Sequence, residues 1–111
     1  MDNEIKKLLQ DILTCIGNID TYIGNKKVFA EYENNSLLQD AVERNLITIG
    51  EAVNALLKRW PSLAISDARK IVNTRNKLTH GYDDIENVQV WNIIINSLPK
   101  LKREVESLIS E

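Results

Sequence analysis

The sequence predicts an all-α protein, an antiparallel bundle of four to five helices, and three observations support this prediction. Apolar residues recur at steps of three and four along four long segments, which is the spacing of one helix face. Only two prolines and four glycines occur among 111 residues, so few positions interrupt a helix. No stretch alternates apolar and polar residues with the period of two typical of a half-buried strand. The length predicts one domain, residues 1–111.

The first helix is predicted to run from Asn3 to about Ile23. Asp2 or Asn3 can cap its N-terminus, and Gly24-Asn25 supplies a stop. The polar stretch Lys26–Asn35 predicts either a short helical turn or an extension of the next helix. The apolar stripe of this first helix is Ile5, Leu8, Leu9, Ile12, Ile16, Ile19 and Ile23.

The second helix is predicted to start at Ser36, which has the capping-box spacing with Gln39, and to end near Arg59. Pro61 stops it, because the residue before a proline is pushed out of helical geometry. Gly50 lies inside this helix at a cost of about 1 kcal/mol relative to alanine. A close crossing by another helix or subunit would explain it. The buried stripe is predicted to be Leu38, Val42, Leu46, Ile49, Val53, Leu56 and Trp60.

The third helix is predicted to start at a Ser66-Asp67 cap and to reach His80. Asp83 or Asp84 is expected to cap the last helix. Pro99 lies within that helix, but the apolar stripe keeps its phase on both sides, so we predict one kinked helix. The stripe is Trp91, Ile94, Ile95, Leu98, Leu101, Val105, Leu108 and Ile109.

Composition and charge limit the function classes. The net charge of −2 and the isoelectric point of about 5.4 argue against indiscriminate nucleic-acid binding. No apolar run approaches the length of a membrane span. Cys15 is the single cysteine, so a reducing cytoplasm is expected. With one cysteine and one histidine we expect no metal site, and we expect no cofactor.

The charge is unevenly distributed along the chain. Between Lys58 and His80 there are six basic residues against the single acid Asp67, a local net charge of +5 that leaves −7 for the rest. Such a basic segment can bind a phosphate backbone locally, although a solvated helix face is an equally good interpretation of charge alone. Its members are Lys58, Arg59, Arg69, Lys70, Arg75 and Lys77.

The segment Thr74–Tyr82 holds the residue types that phosphate chemistry uses. His80, the only histidine, can transfer a proton near neutral pH, and Arg75 can clamp a phosphate through two hydrogen bonds. Tyr82 offers a hydroxyl. The alternative is structural, because cations at the end of a helix also stabilise its dipole. Arg75 and His80 are about 140° apart around an ideal helix. Either the helix distorts near His80, or each residue acts with groups of another element or another copy.

Three blocks of sequence identify a family resemblance. They are Ala41-Val42-Glu43-Arg44, Ile49-Gly50-Glu51-Ala52 and Arg75-Asn76 followed by His80-Gly81-Tyr82. With these, the chain resembles the HepT-like family of the HEPN superfamily, small bacterial and archaeal proteins, from about Ile5 to Ile109. The Arg-Asn-x-x-x-His-x-Tyr motif is the most specific part. Many members begin the third helix with Pro-Trp, where this chain has Ser66-Asp67.

The resemblance implies a dimeric HEPN-like bundle that acts as a metal-independent endoribonuclease, the toxin of a toxin–antitoxin pair. The usual partner is a small nucleotidyltransferase antitoxin (MntA-like), which silences the toxin by transferring AMP from ATP to the motif tyrosine. On this sequence, Arg75 and His80 match the catalytic pair, Asn76 the polar residue beside the arginine and Tyr82 the modified hydroxyl. The basic residues nearest the motif are candidates for RNA binding: Lys77, Arg69 and Lys70.

Other functions fit the same residues. Asn76 can simply cap or orient its neighbours, and Tyr82 can pack against the core. A second hypothesis is a non-catalytic helical subunit that binds nucleotide or substrate for a two-component nucleotidyltransferase. A third is a dimeric assembly module without chemistry. The intact Arg75 and His80 pair discriminates among the three, because a scaffold does not need it.

Overall fold

The structure is a computed structural model that describes residues 1–80 and 85–111. A turn of π-helix, Ile93–Ser97, joins the last two α-helices into one continuous rod. This described part of the chain contains no strand, so the prediction of an all-α bundle is confirmed. The α-helices are α1 (Asn3–Ile23), α2 (Phe29–Glu33), α3 (Ser36–Arg59), α4 (Ala68–His80), α5 (Asn87–Asn92) and α6 (Leu98–Ile109).

The long helix α3 lies at the centre of the bundle. Helices α1 and α4 pack along it, α6 packs on α1, and the short α2 rests on α3 and α5. The buried apolar side chains of these helices form one cluster. The Tyr32 ring lies 5.6 Å from the Trp91 ring, centroid to centroid, and ties α2 to α5. No helix within residues 1–80 and 85–111 is both long and apolar enough to cross a membrane.

The ends of α1 follow from local sequence. The Asp2 carboxylate accepts a hydrogen bond from the Ile5 amide at 2.8 Å, so Asp2 is the cap. Gly24 adopts φ +79° and donates its N–H to the Asp20 carbonyl at 2.9 Å, which ends the helix. The following polar stretch forms the separate short helix α2, which decides between the two interpretations that the sequence left open.

The capping box predicted at Ser36 is wrong. The Asn35 side chain accepts from the Leu38 amide at 3.0 Å, so Asn35 is the cap and Ser36 is the first helical residue. Gln39 instead donates its side-chain amide to the Tyr32 and Glu33 carbonyls, both at 3.0 Å. The Gln39 side chain therefore binds the carbonyls at the C-terminal end of α2 and is not available for a capping box at the start of α3.

Helix α4 begins at Ala68, directly after Ser66-Asp67 as predicted, but neither side chain caps it, because both bond to residues of the π turn and α6. The Ser66 hydroxyl donates to the Glu104 carboxylate at 2.7 Å. The Asp67 carboxylate accepts from the Ser97 hydroxyl and from the Lys100 ammonium, each at 2.9 Å. The pKa of Asp67 lies below its ordinary value. The main cause is the hydrogen bond from Lys100, and the second is the hydrogen bond from Ser97. We call this contact the α4–α6 clamp.

The last helix begins at Asn87, and its cap is Glu86, whose N–H donates to the Gln89 side-chain oxygen at 3.0 Å. The prediction of Asp83 or Asp84 as the cap is therefore wrong, and both residues lie outside the described part. Beyond α5 the helix widens into the π turn, where the Leu98 amide donates to the Ile93 carbonyl five residues back. Pro99, which lacks an N–H, follows this turn. The prediction of a single helix across Pro99 is confirmed.

Candidate active site

Helix α4 carries the candidate site, and it crosses α3 at Gly50. A methyl group added at Gly50 would lie 2.9 Å from Arg75 Cγ and closer still to Arg75 Cβ. A residue without a side chain is therefore required for this approach. The predicted explanation of Gly50 as a close crossing is confirmed, and the partner is α4 of the same chain. The crossing holds the base of the Arg75 side chain against α3.

Arg75 is half-buried, and one of its guanidinium donors is unsatisfied. Its Nε is buried and has no hydrogen-bond partner among residues 1–80 and 85–111. Buried polar atoms in folded proteins almost always have a partner, because an unmade bond costs about 1–3 kcal/mol. An anionic oxygen that reached this side chain would supply the missing acceptor.

His80 is the last residue of α4 and is exposed. The helix is regular up to this point, and the Thr79 hydroxyl donates to the Arg75 carbonyl one turn back. Regular geometry puts Arg75 and His80 about 140° apart around the axis and about 7.5 Å apart along it. No distortion before His80 brings them together. Of the two alternatives, this arrangement favours the one in which each acts with groups of another element or copy.

The remaining motif residues divide between the described and undescribed parts. Asn76 is half-buried and lies one turn before His80, so it shares the face of His80 and not that of Arg75. Tyr82, the predicted modification site, lies outside the described residues.

Cys15 is buried in the core, and this burial is the main cause that raises the pKa of its thiol above its ordinary value. Within the described residues no group of three histidine, cysteine, aspartate or glutamate side chains could hold a metal ion.

The basic segment divides into parts with different surroundings. Arg59 pairs with the Glu4 carboxylate at 2.6 Å and with Asp2 at 3.4 Å, so α1 offsets its charge. Arg69 borders a depression of about 310 Å³ between α3 and α4. Lys70 and Lys77 both border a different cleft, on the side of α4 that faces α5. The three predicted RNA-binding residues are thus on two sides of α4.

The cleft between α4 and α5 has a volume of about 340 Å³, and most of the residues that line it have polar side chains. We call it the α4–α5 cleft. Three of its residues were missed from sequence: Asn73, Gln89 and Asn92. A signal was present, because Asn73 and the two lysines recur at steps of three and four on one face of α4. Gln89 and Asn92 are likewise three residues apart on α5. The lining is Lys70, Asn73, Thr74, Lys77, Ile85, Gln89, Asn92 and Ile93.

Comparisons with known proteins identify the family of the chain. Residues 12–108 match the family described as Ribonuclease HepT-like. Three proteins of Methanocaldococcus jannaschii that carry the name "Putative RNase" are 30%, 30% and 31% identical to this chain. The alignments cover 97%, 97% and 93% of this chain, and 89%, 93% and 94% of the relatives. No solved structure shows a significant match.

Proposed function

The chain belongs to the ribonuclease HepT-like family, and on that premise we propose that it is a metal-independent endoribonuclease that uses Arg75 and His80. We further propose that it is the toxin of a toxin–antitoxin pair. The observation that carries the catalytic proposal is the state of Arg75. Its side chain is fixed against Gly50, while its buried Nε still lacks an acceptor within the described part of the chain. A phosphate oxygen provides that acceptor.

The proposed reaction uses the nucleophile that RNA carries. The ribose 2′-hydroxyl oxygen bonds to the adjacent phosphorus and gives its proton to a base, while the bond from phosphorus to the 5′-oxygen breaks. The leaving 5′-oxygen takes a proton from an acid. The products are a 2′,3′-cyclic phosphate and a free 5′-hydroxyl. His80 serves in proton transfer, worth about 10²–10⁴-fold, and Arg75 stabilises the extra charge on the non-bridging oxygens.

A homodimer supplies what one protomer lacks. One imidazole cannot be acid and base in the same step, whereas two copies related by a two-fold axis bring two of each residue to one groove. The separation of Arg75 and His80 around a regular α4 supports this arrangement. Asn76, on the face of His80, would orient the imidazole or the ribose. Lys77, Lys70 and Arg69 would contact the phosphates on either side of the cleaved linkage.

The proposed regulation acts on Tyr82. A partner nucleotidyltransferase catalyses attack of the tyrosine oxygen on the α-phosphorus of ATP, which forms an AMP–tyrosine bond and releases pyrophosphate. The adduct is bulky and anionic, and it is attached two residues from His80. It therefore competes with substrate phosphate by volume and by charge. We propose a cytoplasmic location, because both ATP and the RNA substrate are found there.

The catalytic proposal is tested by comparing the native protein with His80→Ala. Total RNA and a defined RNA are incubated with each protein in the presence of EDTA, and the 3′ ends are analysed for cyclic phosphate. We expect the native protein to cleave and His80→Ala to be slower by about 10²-fold or more. Lys102→Ala, an exposed change on α6, is the control and should cleave like the native protein. Equal RNA cleavage and equal growth inhibition by the native protein and His80→Ala would reject the proposal.

The regulatory proposal has its own test. The chain is incubated with its cognate nucleotidyltransferase and ATP, and the intact mass and the modified peptide are measured. We expect one or more AMP increments on Tyr82, loss of RNA cleavage in proportion to modification, and no adduct on Tyr82→Phe. An adduct confined to another residue would overturn the assignment of Tyr82 without touching the catalytic proposal.

A further inference from the structure

We propose that the α4–α5 cleft is a subsite that binds one unpaired nucleotide of the RNA beside the cleaved linkage, and that Asn73, Gln89 and Asn92 select its base. This inference rests on the proposed ribonuclease function and adds a substrate-recognition element to it. A volume of about 340 Å³ lies within the range of about 300–1,000 Å³ common for small-ligand sites.

The charge of the cleft favours a phosphate-bearing ligand. Lys70 and Lys77 both border it, and its lining contains no carboxylate among the described residues. Neither ammonium forms an ion pair within residues 1–80 and 85–111. The two lysines are seven residues apart, so their Cα atoms are separated by about 10.5 Å along the axis of α4. They can therefore contact successive phosphates of one strand.

Side-chain amides make the cleft rich in hydrogen-bond donors. The Gln89 side-chain oxygen already accepts from the Glu86 N–H at 3.0 Å, and the Asn92 oxygen accepts from the Asn96 amide. These bonds fix both amides and leave their NH₂ groups without a partner in the described part of the chain. Asn73 adds a further amide from α4. Donors held in this way match the carbonyl oxygens and ring nitrogens on the edge of an unstacked base.

The walls of the cleft complete a site for a base. Ile85 is half-buried and contributes apolar surface, on which the flat face of a base can rest, and the nearly buried Ile93 also borders the cleft. Ile93 is also the first residue of the π turn, and Asn92 directly precedes it. Such turns displace the side chains around them from ordinary helical positions and occur frequently at functional sites. In this protein the π turn begins at the end of α5, and its first residue borders the cleft.

The cleft lies next to the proposed catalytic residue. Lys77 precedes His80 by three residues, so the two are neighbours on the surface of α4. From Lys77 the lining continues along α4 through Asn73 to Lys70, away from His80. An RNA strand whose cleaved linkage is at His80 would therefore place a neighbouring nucleotide in the cleft.

The phosphate contacts are tested by binding of uncleaved RNA. In the His80→Ala protein, affinity for a fluorescent single-stranded RNA is measured by anisotropy over a range of salt concentrations. Adding Lys70→Ala and Lys77→Ala should weaken binding and reduce the slope of log affinity against log salt by about 1.4, which corresponds to two lost phosphate contacts. The exposed pair Lys6→Ala and Lys102→Ala removes the same charge elsewhere and should leave the slope unchanged.

Base selection is tested by mapping cleavage in a pool of random-sequence RNA. Gln89→Glu and Asn92→Asp keep the oxygens that accept from Glu86 and Asn96 but replace each NH₂ donor by an oxygen. We expect the base preference at one position beside the cleaved linkage to change by about tenfold, the size of one lost or repelled base contact. Gln10→Glu and Asn25→Asp add the same charge at exposed positions and should preserve the native pattern.

The outcomes separate the two proposals. If the native protein cleaves and the cleft variants keep its salt slope and its cleavage pattern, the subsite is overturned and the ribonuclease stands. If the native protein does not cleave, the proposed function fails, and the subsite stands as a nucleotide site only if the lysine variants still reduce the slope. A native protein that neither binds nor cleaves RNA overturns both.

Discussion

Two buried side-chain atoms lack a hydrogen-bond partner within residues 1–80 and 85–111, the Tyr32 hydroxyl and Arg75 Nε. They have opposite explanations. Tyr32 is completely buried against Trp91, where no ligand reaches it, so its unpaired hydroxyl is a cost of packing a large ring. Arg75 is only half-buried and belongs to the family motif. We therefore interpret the same local feature as structural at Tyr32 and, under the proposed function, as a phosphate contact at Arg75.

Tyr32→Phe should stabilise the protein. The change removes a buried hydroxyl without a partner and leaves the ring contact with Trp91, so the free energy of unfolding should rise by about 1 kcal/mol. The pKa of Tyr32 lies above its ordinary value of 10. Burial of the hydroxyl is the main cause, and the negative charge of Glu43 is the second. Below pH 10 the tyrosine is neutral in the folded and the unfolded states, so its ionisation does not change the free energy of unfolding. Above pH 10 the hydroxyl ionises readily only in the unfolded state, so the free energy of unfolding falls as the pH rises.

Urea unfolding of the native protein and Tyr32→Phe at pH 7 and at pH 10 to 11 measures both effects. The native protein should lose more stability than the variant in the alkaline range. Tyr22→Phe, an exposed tyrosine on α1, is the matched control. A destabilised Tyr32→Phe would show that the hydroxyl has a partner that stabilises it.

At the scale of elements, α4 is held by two contacts with different chemistry. Its middle lies against α3 at Gly50, and its N-terminal end is attached to α6 by the α4–α6 clamp. The first contact depends on the absence of a side chain and the second on a carboxylate. Together they set the position of the helix that carries Arg75 and His80, so both contacts should affect catalysis through position.

Gly50→Ala and Gly17→Ala should have opposite effects. Alanine normally stabilises a helix interior by about 1 kcal/mol relative to glycine. Gly17 in α1 has nothing within 4 Å of an added methyl group, so Gly17→Ala should gain about this amount. At Gly50 the methyl group collides with Arg75, and overpacking should instead cost about 1–3 kcal/mol. Urea unfolding measures both, and RNA cleavage should fall only for Gly50→Ala. A stable Gly50→Ala with native activity would contradict the crossing.

Asp67→Asn should weaken the clamp in a pH-dependent manner. Asparagine keeps an acceptor for Ser97 and tolerates the left-handed φ of +60°, but it loses the charge that attracts Lys100. Because the folded-state pKa of Asp67 is lowered, its contribution is present above about pH 3.8 and is lost as the pH falls through the folded value. Thermal unfolding should show a less stable variant at pH 7, with the difference shrinking toward pH 2. Asp20→Asn, at an exposed carboxylate, should show no such pattern.

At the scale of the whole molecule, the arrangement on α4 predicts cooperation between two copies. Arg75 and His80 diverge around one regular helix, so under the proposed function a second protomer would complete the set of catalytic groups. The proposed groove needs both imidazoles, one as acid and one as base. Damage to one copy should therefore disable the pair.

Mixed dimers test this cooperation. Differently tagged native and His80→Ala chains are coexpressed, and the heterodimer is isolated by both tags. If the groove is shared, the rate of the heterodimer should be lower than half of the native rate by about tenfold or more, because one proton-transfer step loses its catalyst. Independent sites predict half. A heterodimer of native and Lys102→Ala chains controls for the tags, and a monomer by light scattering at micromolar concentration would exclude the groove.

The linear order of the residues was enough to locate the long helices and to indicate the family. The spacing of apolar residues is a local pattern, and it marked α1 and the start, end and buried stripe of α3 within a residue or two. It also showed that the helix continues across Pro99. The motif block from Arg75 to Tyr82 pointed to the ribonuclease family that the comparisons show. These features depend on neighbours within one or two turns, so the linear order of residues contains them.

The partners of several polar side chains depend on how the helices pack, and the local sequence did not predict them. The sequence predicted Ser66 and Asp67 as a cap, but the π turn and α6 bring Ser97, Lys100 and Glu104 within hydrogen-bond distance of their side chains. Likewise the α4–α5 cleft combines Lys70 and Lys77 with the side-chain amides of Gln89 and Asn92, which lie 12 to 22 residues further along the chain. A polar side chain forms its strongest available bond, and the available partners depend on which helices pack together. That packing is a property of the whole fold, and no local pattern encodes it.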